Sequence, residues 1–142
     1  MKDAYTSMFF DRVKETTNET GLVLPEDVES YVVMLLASKV EQPDFLPNGA
    51  FALEYLTLSP VKFKSAKDLG DTCLFVSGVF PLYGSKHGIQ RSYYQGIGAS
   101  SYLKVSESMN NKLFTTLAQH FEFLSEFIEI VVHNTNFTKK EL

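Results

Sequence analysis

Residues 73–80 read Cys-Leu-Phe-Val-Ser-Gly-Val-Phe, an eight-residue apolar run whose conformation decides the fold. At that length periodicity does not separate a buried strand from a buried helix. The surroundings favour helix. The run is the second half of a segment over residues 65–80 in which Asp71 is a candidate for recapping a helix and Pro81 is a stop. No other stretch carries the alternation of a strand that would pair with it. The segment is therefore read as helical and the chain as all-α, with strand over 73–80 as the open alternative.

Working outward, period and punctuation define five more helices. Tyr5, Met8, Phe9 and Val13 form one apolar stripe over residues 3–17, which ends in the polar, β-branched tract 16–21. Pro25, Glu26 and Asp27 suit a helix N-terminus through fixed φ and negative charge. Val28, Tyr31, Val32, Leu35 and Leu36 then mark a buried face. Pro43, Pro47 and Gly49 break the chain, and Asn48 opens a short helix over 48–58 with Phe51, Tyr55 and Leu58 inward. Residues 82–88, with Gly84, His87 and Gly88, read as an exposed loop before a helix over 90–105. Leu113, Leu117, His120, Leu124, Phe127 and Val131 form a heptad seam, widened by Phe121 and Ile128, and predict one long C-terminal helix at the centre of the bundle. Asn134 is its candidate cap, and residues 135–142 read as a frayed tail. The expected architecture is a single-domain bundle of about six helices.

A chain of 142 residues buries roughly 68–70% of its unfolded surface, so a core needs no disulfide or metal. Thirteen Lys and Arg against seventeen Asp and Glu, with Arg12 and Arg91 as the two arginines, exclude the clustered positive charge of a nucleic-acid binder. The basic group Lys62, Lys64 and Lys67 is small. No apolar stretch reaches the length of a membrane span, and the first ten residues lack a signal-peptide core. Lone Cys73 inside its apolar run reads as a buried thiol in a reducing cytoplasm.

Few residues carry chemistry. Glu126, Glu129 and His133 share one flank of the last helix, but a carboxylate-bridged metal bundle needs Glu-x-x-His pairs on two helices, and the chain has none. No metal or cofactor is expected. Cys73 among apolar neighbours is inert, because burial raises a thiol pKa. His87 reads as a surface loop residue. Gly96-Ile97-Gly98-Ala99-Ser100-Ser101 lacks both the third glycine and the preceding strand of a dinucleotide loop. No nucleophile, base and orienting group can be assembled, so the reading leans away from an enzyme.

Two places stand out. His120 occupies a seam position otherwise apolar, where an imidazole needs a partner. Tyr93, Tyr94 and Tyr102 flank a patch of small residues, Gly96, Gly98, Ala99, Ser100 and Ser101, which lets a neighbour approach the backbone closely. Arg91 stands at the head of that segment with a fork able to hold an anion.

The block Leu69-Gly70-Asp71, Leu74-Phe75, Gly78-Val79-Phe80-Pro81, Tyr93-Tyr94, Gly96 and Tyr102 resembles that of a group of small helical bacterial proteins of unknown function. It covers about a quarter of the chain, with Ser101 where that group's alanine would precede the final tyrosine. The resemblance implies a bacterial, cytoplasmic protein and no activity. Two functions are expected. The first is a protein–protein interaction or scaffold module that associates with a protein partner or with itself as a homodimer. The second is a small-molecule or cofactor-binding domain with a pocket formed by Arg91, Tyr93, Tyr94, Gly96, Gly98, Tyr102 and His120.

Overall fold

The computed structural model describes residues 2–40 and 65–133. It is an all-α bundle of six helices with no strand among the described residues. The short helix expected over 48–58 and the tail 135–142 lie outside them.

Helix α1, Lys2–Thr20, runs to the end of the polar tract expected to terminate it. Within it the threonine hydroxyls are satisfied by the backbone, Thr16 donating to the Arg12 carbonyl and Thr20 to that of Thr16. Gly21, at φ +76°, then closes the C-terminus in the left-handed region that favours glycine. Helix α2, Glu26–Val40, starts after Pro25 with Glu26, Asp27 and Glu29 in its first turn. Glu29 pairs at 3.3 Å with Lys14 of α1.

Helix α3, Ala66–Val79, settles the reading of the apolar run. Ser65 caps it, accepting from the Asp68 N–H at 3.1 Å, and it passes through Gly70 and Asp71 unbroken. Every residue from 69 to 79 is buried, the polar Asp71, Thr72 and Ser77 included. This helix is the centre of the bundle, packed by α2 and by two of the helices that follow, those over 91–109 and 121–133. A tight connection over residues 81–90 contains a single 3-10 turn, Ser85–His87, bracketed by Gly84 and Gly88 at positive φ. Helix α4, Arg91–Met109, extends four residues beyond its expected end, to Asn110, which takes the left-handed conformation at φ +51°.

The long C-terminal helix is two helices. Helix α5, Lys112–Gln119, is capped by Asn111, and α6, Phe121–His133, begins after His120. His120 leaves helical geometry at φ −113°, ψ 24°. In a straight helix the seam would carry its imidazole inward. The corner leaves His120 exposed and buries Phe121 instead, which avoids desolvating a polar ring. With α3 at the centre, α6 is one of its covering helices, so the expected position of the C-terminal segment is corrected.

Glycines set the closest approaches. A Cβ on Gly70 would lie 2.6 Å from the Tyr102 ring of α4, and one on Gly78 would lie 2.7 Å from Ile128 of α6. These positions let α3 sit against both neighbours at backbone distance.

Candidate functional site

Buried Asp71 on α3 is where three helices are joined by polar bonds. Its Oδ1 accepts from the Tyr31 hydroxyl of α2 at 2.5 Å and from the Tyr102 hydroxyl of α4 at 2.6 Å. Its Oδ2 accepts from Lys67 at 3.1 Å, and the same ammonium lies 5.5 Å from the Tyr31 ring centroid. Burial, then the facing carboxylate, push both phenols above their ordinary pKa. They stay protonated and donating. A cavity of about 200 Å³ opens beside the group, lined by Tyr31, Met34, Ser38, Lys67 and Asp71. Every polar atom named here has a partner, so the arrangement joins helices rather than awaiting a ligand. The sequence reading missed Asp71 in this role. The available signal was a carboxylate between Leu69 and Leu74, which burial obliges to find donors.

Arg91 is likewise committed. Its Nε donates to the Ser77 carbonyl at 2.8 Å and Nη2 to the Ser125 carbonyl at 3.1 Å, while Nη1 pairs with Glu129 at 2.8 Å. Ser77 lies in the last turn of α3, whose carbonyls lack helical donors, so Arg91 caps a neighbouring helix and brings positive charge to its negative end. A cleft of about 840 Å³ opens over this clamp, between residues 81–90 and the end of α6, with Leu82, Gln90, Glu129 and His133 in its walls. Arg91 and Glu129 neutralise one another there, so the cleft selects no charge.

The remaining predicted residues are dispersed. Tyr94 is buried, and its hydroxyl, like that of Tyr83, has no hydrogen bond among the described residues. Burial pushes the Tyr94 phenol up to about 12. Gly98 lies under the Phe121 ring, which leaves no room for a Cβ, and one built there would also lie 2.9 Å from Cys73. Burial pushes the Cys73 thiol up to about 12, in keeping with an inert side chain. Tyr93, its ring edge-on to that of Tyr94 at 5.9 Å, and Gly96 are exposed, whereas Tyr94, Gly98 and Tyr102 are buried. Tyr93 and Gly96 line a shallow groove of about 530 Å³ with Leu69, Ile97, Ser100 and Lys104.

His120 stands apart from all of these, beside a smaller cavity at the α5–α6 corner. That cavity has a volume of about 180 Å³ and is lined by Val23, Leu24, Pro25, Val28, Thr116, His120, Phe123 and Leu124. No described cavity is lined both by His120 and by the Tyr93–Tyr102 segment. No group of three metal-ligating side chains converges among the described residues, and none of their helices is long and apolar enough to cross a membrane. Comparison with family models, curated proteins and solved structures finds no match for this chain.

Proposed function

We propose that this chain is a protein–protein interaction module of the cytoplasm that pairs with a second copy of itself through the outer face of α4. One observation carries the reading: residues 92–103 contain no charged side chain, although Ser92, Tyr93, Gly96, Ser100 and Leu103 are exposed. Solvated helix faces are normally charged, and an exposed apolar face marks a contact surface. Tyr93 and Leu103, 44% and 45% exposed, are the large exposed apolar side chains of the face, and Lys104 borders it. Gly96 offers open space above its backbone.

An antiparallel crossing centred between Gly96 and Ser100 makes the face complementary to itself. Gly96 of each copy then meets Ser100 of the other, and Tyr93 meets Leu103. The small residues permit close approach and the large ones cover the flanks. The helix is about 28 Å long, so the contact is small and its affinity belongs in the micromolar range. The buried free thiol of Cys73 suits a reducing compartment.

Sedimentation velocity over a concentration series tests the reading. Twice the mass of one chain at high concentration is expected, with Gly96→Leu, which fills the approach, remaining folded and monomeric. The mass of a single chain up to roughly 1 mM, where a contact contributes less than about 4 kcal/mol, overturns it.

A further inference from the structure

We propose that the cavity at the α5–α6 corner binds a small uncharged aromatic molecule bearing one hydrogen-bonding group, with the ring inside and the polar group at His120. Size sets the first limit. At about 180 Å³ the space is close to the roughly 150 Å³ engineered cavity that takes benzene, and below the 300–1,000 Å³ of pockets for larger ligands. One ring fits, and two fused rings with substituents do not.

Charge sets the second limit. Val23, Leu24, Pro25, Val28, Phe123 and Leu124 supply apolar walls, and no Lys, Arg, Asp or Glu lines the space. An ionic ligand would lose its hydration there with no counter-charge to replace it. Val23 is 76% exposed beside the cavity and extends its apolar wall into solvent.

Polarity sets the third. Only Thr116 and His120 bring side-chain polar atoms to the lining. The Thr116 hydroxyl donates to the Lys112 carbonyl at 3.1 Å. The His120 N–H of the main chain is spent on the Thr116 carbonyl, and its carbonyl accepts from Leu124. The imidazole itself makes no hydrogen bond to a described residue and is exposed at the edge of an apolar space. It meets one polar substituent, and neutral imidazole both donates and accepts, so a hydroxyl suits it.

The cavity shares no lining residue with the α4 groove, and the inference stands or falls independently of self-association. It is tested by titrating the isotope-labelled protein with phenol and with benzene while following amide resonances. Phenol is expected to shift resonances confined to residues 23–28 and 116–124, and to bind about three- to tenfold more tightly than benzene, as one neutral hydrogen bond allows. His120→Ala should erase that preference while leaving benzene binding intact. Thr116→Met, which places a longer side chain in the cavity from a partly exposed helical position, should abolish both without loss of thermal stability. No shift at about 10 mM phenol, where even millimolar affinity is visible, overturns the proposal. So do shifts scattered over the surface, or a phenol preference that survives His120→Ala.

Discussion

Gly96 and Gly98 are two positions apart on α4 and point in opposite directions. Nothing lies within 4 Å of a Cβ built on Gly96, whereas one on Gly98 would meet the Phe121 ring and Cys73. Gly96→Ala is therefore expected to stabilise the dilute monomer by about 0.8–1.0 kcal/mol through helix propensity alone. Gly98→Ala should cost about 1–3 kcal/mol by forcing Phe121 and Cys73 apart. Chemical denaturation of the two variants checks both signs, and equal effects would contradict the packing described. The sequence marks this patch as a place where something packs, but it does not say which glycine faces the core. That assignment depends on helix phase relative to α3 and α6, which only the assembled bundle fixes. Tyr94 and Tyr102 show the same limit from the polar side. Both are buried, yet Tyr102 reaches Asp71 and the Tyr94 hydroxyl reaches no partner among the described residues.

Arg91 acts on elements rather than at a reactive centre. It closes the C-terminal turn of α3 from the first residue of α4 and ties both to α6 through Ser125 and Glu129. Arg91→Met keeps much of the side chain's bulk but leaves the Ser77 carbonyl without its donor. It should lower stability by about 1.5–3 kcal/mol in denaturant titrations, the range for hydrogen bonds to a charged group. Glu129→Gln should cost less than about 1 kcal/mol, because Glu129 is 34% exposed and the pair is screened by water. A larger loss for Glu129→Gln would place the strength of the clamp in the ion pair instead. Residue 91 was legible as a guanidinium with something to hold. Its partners were not, since two of them are main-chain carbonyls that leave no trace in composition. The corner at His120 was hidden for a related reason. The heptad seam is continuous through it, and nothing in that period marks the break at His120.

Across the whole molecule, three buried or half-buried phenols and the buried thiol are held protonated. Cys73 and Tyr94 are pushed from ordinary values of 9.0 and 10.0 up to about 12, and Tyr31 and Tyr102 are raised as well. Above pH 9 the unfolded chain begins to lose these protons while the folded chain keeps them. Unfolding then releases protons, and stability falls as pH rises. Each such group contributes a slope of up to about 1.4 kcal/mol per pH unit between its two pKa values. Stability should be insensitive to these groups below pH 9 and collapse at alkaline pH. The phenolate absorbance of the buried tyrosines should appear together with loss of helical circular dichroism, and titration of all tyrosines in a still-helical protein would contradict this. That the chain is an all-helical bundle was legible from period and punctuation. Which helix lies at its centre was not, because the amphipathic seam of the C-terminal segment is easier to see than a helix buried on every side. The burial of α3 also matters during synthesis. Its covering helices α4 and α6 both lie within the fifty-four residues from Phe80 to His133. A ribosome adds these residues in roughly 3 to 11 s, and for that interval the most deeply buried of the described helices lacks its cover. The nascent protein therefore passes through a window in which it is a substrate for chaperones before it is a bundle.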